Sequence, residues 1–300
     1  MDPADGRLTT DRQDDTAPAG RRGKCARLRG GLKRHPSLVA GGVLAAVLVI
    51  VAITSRLAPP YDPLAINPGQ ALAPPGPEHW FGTDQFGRDV FSRVLYGLGT
   101  DVVIGLIVAA VAFAVGSAAG LITGYLGGWI DDIVMRAVDI VMSFPAFLLA
   151  LSIAVVIGNT VRNVIIAVTI AYVPYILRLT RSSVLTVRSA DYVLGARAVG
   201  ASRSRVMALH VMPNAAGPSL VQATLMVGWA ILDVSGLSFL GVGIQPPSPE
   251  LGVQVAQGAS YITSGQWWIS VFPGAAIILA VLAVNFLGDY ADDKLRGQGS

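Results

Sequence analysis

The sequence predicts an all-α integral membrane protein with six transmembrane helices, and three observations carry that expectation. Hydrophobic residues make up 53% of the chain and charged ones only 14%, where soluble domains carry roughly 25% charged residues; the mean hydropathy is +0.58. The apolar residues gather into six long stretches, and about 20 such residues cross a bilayer. Arginines collect between those stretches, as they must when each one at mid-bilayer costs roughly 2.5–3.5 kcal/mol.

Residues 38–57 form the first stretch, uncharged for 18 residues. The second, 102–130, carries no charge over 29 residues and places glycines at 116, 120, 124 and 128. That spacing keeps them near one face and lets another helix approach closely. The third, 133–157, contains Arg136 and Asp139, three apart and able to pair on one face. A structural pair is the preferred reading, with a substrate contact as the other. The fourth, 163–177, lies between Arg162 and Arg178 and is expected to extend to about 182. The fifth covers 211–232 and ends at Asp233; the sixth covers 267–288, with Trp267 and Trp268 as an interfacial belt. Pro145 and Pro174 break backbone hydrogen bonds and permit bends. The chain thus divides into a basic tail at 1–34, whose first 20 residues are expected to be disordered, a first span with its loop at 35–101, and a core at 102–296.

Basic residues orient the spans. Residues 21–34 hold seven basic residues and no acid, and residues 178–205 hold six arginines against one aspartate. On the opposite side, 59–101 has two arginines against five acids, and 240–266 has Glu250 alone. Both termini and the arginine island are therefore expected in the cytoplasm and the two long loops outside. The formal net charge of +3 follows from this asymmetry. Anionic membrane lipid is the partner it implies, and no nucleic acid is needed to explain it.

The island has internal pattern. Asp191 to Val199 reads as a short helix that Gly200 ends from a left-handed conformation. Ser202 is placed to cap a second turn starting at Arg203, and Pro213 to stop it. Two short helices on a membrane loop make a handle for something outside the membrane.

These residues resemble a known signature. Ala196, Gly200 and His210-Val-Met-Pro213-Asn214 are similar to the EAA loop, within 188–214, of ABC-importer permeases: Glu-Ala-Ala, three residues, Gly, nine residues, Ile-x-Leu-Pro. Leu194 and Gly195 stand where the pattern has Glu and Ala, His210 replaces its Ile and Met212 its Leu. Further matches are His79-Trp-Phe-Gly-Thr-Asp84-Gln-Phe-Gly87-Arg88-Asp89 with Leu95-Tyr96-Gly97, the Leu237-Ser-Phe-Leu-Gly241 stretch, Gln245-Pro-Pro-Ser-Pro-Glu250-Leu-Gly252, and Asn285-Phe-Leu-Gly-Asp289. All resemble permeases of the dipeptide, oligopeptide and nickel group. From the residues alone, the His79–Arg93 stretch also reads as an interfacial helix started by Thr83 or Asp84 and anchored by Trp80.

The resemblance implies a type I ABC-importer permease fold with a cytoplasmic coupling helix, in a bacterial plasma membrane. It implies three kinds of partner: a second homologous permease, two ABC ATPase subunits that bind ATP and magnesium, and an external solute-binding protein. Asp191, Tyr192, Ala196, Arg197, Gly200, Arg203, Arg205, His210 and Pro213 become the expected ATPase-coupling residues. Asp233, Asp139 and Arg136 become translocation-path candidates. Two readings of Asp233 stand: a carboxylate facing a water-filled vestibule and meeting a peptide amine, or, preferred, a cap or loop hydrogen bond at the outer boundary.

Catalysis and cofactors have no sequence support here. There is no GxxxxGK[ST] phosphate loop, so ATP and magnesium would be held by partners. His35, His79 and His210 form no HExxH or Cys/His cluster, and Cys25 is the only cysteine. Neither catalytic nor metal-ligating residues are expected. The rival reading is a secondary transporter driven by an ion gradient, with Asp139 and Asp233 as coupling acids, although no inverted repeat is evident.

Overall fold

The computed structural model describes residues 59–296; the basic tail, the span expected at 38–57 and Cys25 lie outside the described residues. Nine α-helices and short 3₁₀ and π turns account for the regular structure among them. Four of the helical segments are long and apolar enough to cross a membrane, and a bent pair makes a fifth.

α1 (Val90–Leu126) runs for 37 residues, about 55 Å at 1.5 Å per residue, and so reaches beyond the hydrocarbon core of about 30 Å. Its start lies twelve residues before the expected boundary at 102, because Asp89 caps it by accepting from Ser92 N at 2.7 Å. The cap is Asp89, not Thr83 or Asp84, and the expected interfacial helix is the first turns of α1. The uncharged run misleads at this end. Arg93 and Asp101 enter the helix because its first turns are buried by protein, leaving Arg93 1% and Asp101 1% exposed.

α2 (Gly128–Met142) and α3 (Ala146–Ile157) replace the single third span. They meet at 90°. Ser143 folds its hydroxyl onto Ile140 O at 2.7 Å, and Pro145, without an N–H, precedes α3 as its N-cap residue. α4 (Val161–Val187) is capped by Thr160, which accepts from Asn163 N at 3.2 Å, and continues through Pro174 to a point beyond the expected limit near 182.

Two short helices follow, α5 (Asp191–Ala198) and α6 (Arg203–Val206). Pro213 does not stop the second. The chain passes through a π turn at Met207–Val211 directly into α7 (Met212–Phe239), and Pro213 sits just after that turn. α8 (Leu251–Ala259) lies in the stretch expected to be loop, and α9 (Trp268–Arg296) closes the bundle.

The glycine ridge of α1 packs on α4 of the same chain. A Cβ on Gly116 would lie 2.8 Å from Ile176 Cβ, one on Gly120 2.6 Å from Leu177 O, and one on Gly124 2.9 Å from Val184 Cγ1. Gly128 is not part of the ridge; it begins α2, and nothing lies within 4 Å of its Cβ position. α7 packs against α1, α4 and α9, while α8 wedges between α1, α7 and α9 at one end. That end is covered by residues 59–89, which are pinned by His79 Nδ1 to Asp89 at 2.8 Å and by Arg88 Nε to Asp84 at 2.6 Å. Trp268 belongs to this cover as well. It is buried and donates to Thr83 O at 3.1 Å, so only Trp267 is exposed as a belt residue would be.

Candidate functional site

At the opposite end of the bundle, α5 and α6 are docked by their inner faces. Val193 and Val206, both 0% exposed, enter a small apolar cluster with Tyr125 of α1, Val184 of α4, Val211 and Ala215. α5 ends in a Schellman motif: Ala201 N donates to Ala196 O at 3.1 Å and Gly200 N to Arg197 O at 3.0 Å. Gly200 takes φ +84 for this, with no atom within 4 Å of a Cβ placed there. Ser202 precedes α6 but makes no side-chain cap bond.

Nine residues were expected on this loop, and their settings differ. Asp191, Tyr192, Arg203, Arg205 and Pro213 are exposed; Ala196 and His210 are partly covered. Arg197 is also exposed but lies over the Tyr125 ring, 5.4 Å from its centroid, so its charge is partly engaged within the chain. His210 carries a buried Nδ1 without a partner, while its carbonyl accepts from Asn214 Nδ2 at 2.7 Å. Apolar side chains that sequence reasoning did not select complete the outer surface: Leu194, Val199 at 86% and Leu209 at 61% exposure. The loop is therefore firmly seated on one side and uncovered, apolar and basic on the other.

The two path candidates on α2 do not pair with each other. Asp139 instead bonds Arg178 of α4, and Asp131 takes the Arg181 guanidinium in a bidentate pair at 2.5 and 2.6 Å. Arg136 is exposed, with no ion pair among the described residues. The i,i+3 spacing permitted an Arg136–Asp139 contact, but α4 offers Asp139 a partner across the helix interface. Two such pairs tie the bent α2 to α4.

Asp233 is not a boundary cap. It lies within α7, about 9 Å from the helix end at 1.5 Å per residue, and accepts from Tyr172 Oη of α4 at 2.8 Å. Together they line a cavity of about 310 Å³ with Phe147, Tyr175 and Trp229. A carboxylate this deep in a spanning helix is expensive against lipid and is found facing protein or a water-filled cavity.

A second acid site was not anticipated. Glu250, 0% exposed, caps α8 by accepting from Val253 N at 2.8 Å, and Asp101 of α1 accepts from the adjacent Leu251 N at 3.3 Å. Burial pushes the Glu250 carboxyl up to about 7 from an ordinary 4.5. With the native value the higher one, folding takes up a proton between those values. This stability is present below about pH 4.5 and lost as pH rises toward 7. Glu250→Gln keeps an acceptor for Val253 N and should reduce the dependence. Thermal unfolding in detergent from pH 5 to 8 should show wild type losing stability, on the order of 3 kcal/mol at most, while the variant loses less. Equal slopes would show that Glu250 does not titrate there.

Residues 116–297 match the family described as "Binding-protein-dependent transport system inner membrane component". The dipeptide transport system permease protein DppC of Escherichia coli K12 is 42% identical over 269 residues, covering 88% of this chain and 89% of that protein. DppC of Alkalihalophilus pseudofirmus is 38% identical over 264 residues, covering 88% and 86%. The probable D,D-dipeptide transport system permease protein DdpC of E. coli K12 is 41% identical, with 88% of each chain covered. Among solved structures, the crystal structure of an amino acid ABC transporter with histidines superposes with a TM-score of 0.51 at 14% identity, covering 67% of this chain and 94% of that one. At that identity the likeness concerns the fold.

Proposed function

The chain belongs to the binding-protein-dependent transport system inner membrane components, and from that premise we propose that it is the permease subunit of an ATP-driven importer of di- or oligopeptides. The relatives named as dipeptide permeases support the substrate class. Residues 191–214 support the coupling, since this loop presents an uncovered apolar and basic face on a buried footing. In this reading a cytoplasmic ATPase grips α5, a second ATPase serves a second permease, and an external binding protein delivers the peptide to the end covered by residues 59–89. Six crossings are what the apolar stretches of the sequence support, and cytoplasmic termini are what the charge asymmetry supports.

The mechanism is alternating access. Closure of the ATPase pair pushes on α5, and the push enters α4 and α7 by two routes. One is the short Arg188 segment between α4 and α5, where Arg188 Nη1 also donates to Gly124 O of α1 at 2.8 Å. The other is the π turn that runs without interruption into α7. One short helix buries less than the roughly 800 Å² per partner of a standard interface, so assembly also relies on contact between the two permeases. ATP hydrolysis belongs to the partner subunits, and this chain supplies the path.

The single observation that carries the coupling role is the exposed Val199 directly after a helix that is seated in the bundle by the fully buried Val193. A Val199→Cys variant in a Cys25→Ser background should form a cross-link to a co-expressed ATPase subunit, and the yield should change on addition of ATP. A tagged chain that purifies with no ATPase and gives no cross-link would remove the importer reading.

A further inference from the structure

The cavity beside Asp233 has a composition that specifies a ligand. Four of its lining side chains are aromatic: Phe147, Tyr172, Tyr175 and Trp229. Asp233 is its one charged group, and no Lys, Arg or His lines it. Tyr172 Oη occupies Oδ2, and among the described residues no donor reaches Oδ1. A lone carboxylate among aromatic side chains is complementary to a compact cation, because a ring quadrupole and a carboxylate attract the same charge. A volume of about 310 Å³ exceeds the roughly 30 Å³ of one water about tenfold, leaving space for the group that carries the cation.

The walls come from three elements. α7 brings Asp233 and Trp229, α4 brings the two tyrosines, and the first turn of α3 brings Phe147. Phe147 is there because of the break after α2: its ring approaches Gly236 of α7, where a Cβ would stand 3.1 Å away. One wall is thus attached to the segment that Asp139 and Asp131 tie to α4.

We propose that this cavity holds a primary ammonium group, the protonated amino end of the peptide cargo, with Asp233 Oδ1 accepting its hydrogen bond and Tyr172 fixing the carboxylate. The proposal rests on the importer reading above and adds a specificity-determining contact inside the permease itself. A free amino terminus is then read by this chain in addition to any reading by the binding protein. The other source of the same chemistry is a lysine side chain within a peptide.

The test uses the purified complex of this chain with its co-expressed permease and ATPases, without binding protein, so that delivery does not select the ligand. Saturation-transfer NMR would compare Ala-Phe, its N-acetyl derivative, and N-acetyl-Lys-Phe. Wild type should bind Ala-Phe at least ten-fold more tightly than N-acetyl-Ala-Phe, and Asp233→Asn should reduce the gap to less than two-fold. Recovery of binding by N-acetyl-Lys-Phe would assign the site to ammonium groups of either source; its failure to bind would restrict the site to the amino terminus. Discrimination that survives Asp233→Asn, or is absent from wild type, would overturn the proposal. If Asp233→Asn lowers the yield of complex, Trp229→Leu keeps the carboxylate and should weaken Ala-Phe several-fold while leaving the acetylated peptide unchanged; equal effects on both would also overturn it. Failure of ATPases to co-purify removes the importer reading, whereas an intact complex without amine discrimination removes this proposal alone.

Discussion

Replacing Gly120 by leucine should eliminate folded protein from the membrane. A Cβ there falls 2.6 Å from the backbone oxygen of Leu177 and 2.9 Å from Thr180 Cβ, and a carbonyl within a helix cannot rotate aside. The remedy is to separate α1 from α4, which also opens the contacts at Gly116 and Gly124 and exposes Thr180, whose hydroxyl meets Ser219 of α7 at 2.6 Å. Overpacking usually costs about 1–3 kcal/mol where side chains adjust, and a backbone obstacle places this case at or above the upper end. Fluorescence-detected size exclusion after mild solubilisation should show aggregate or no signal. Gly195→Leu is the control: also a helical glycine, it is exposed, has nothing within 4 Å of its Cβ position and should elute as wild type. A monodisperse Gly120→Leu peak at wild-type yield would show that α1 and α4 do not pack through this ridge.

Gly200→Val should separate hydrolysis from transport. The position has open space around it but φ +84, which costs an L residue roughly 1–2 kcal/mol. That is too little to unfold a bundle whose nearest buried contacts, Val193 and Val206, are untouched. It is enough to undo the Schellman turn and re-aim α5. The variant should insert and co-purify with ATPases that hydrolyse ATP, while peptide uptake falls at least ten-fold. Gly200→Asn, which tolerates the left-handed region, should retain most uptake. Normal uptake in the valine variant, or loss of membrane insertion, would count against a coupling role.

The residues that fix the loop were legible because local rules decide them. Gly200 could be assigned a left-handed turn from its place after a short polar helix, and that is the conformation found. The spacing of Gly116, Gly120 and Gly124 announced a close helix contact, though not its partner, since a ridge carries no address. In the sequence Asp101 marks a boundary, because an acid in a spanning helix is costly in lipid. Burial by α8 changes that balance, and α8 itself hid in a stretch of prolines and glycines. The 90° break at Ser143 to Pro145 was permitted by Pro145 but not required, as α4 passing through Pro174 shows. Asp233 was visible as an acid needing a reason, yet its partner Tyr172 lies 61 residues away, beyond any local pattern. The exposed Leu194, Val199 and Leu209 were missed because an apolar residue is assigned to the interior unless a surface is known to be covered by another chain.

Uptake of labelled Ala-Phe into proteoliposomes tests the central reading most directly. They would contain this chain, its co-purified permease and ATPases, and the peptide-loaded binding protein on the appropriate side. The expected result is accumulation that requires ATP and the binding protein and is indifferent to ionophores. Accumulation that proceeds without ATP and collapses when a sodium or proton gradient is dissipated would contradict it, and would return Asp139 and Asp233 to the role of ion-coupling acids.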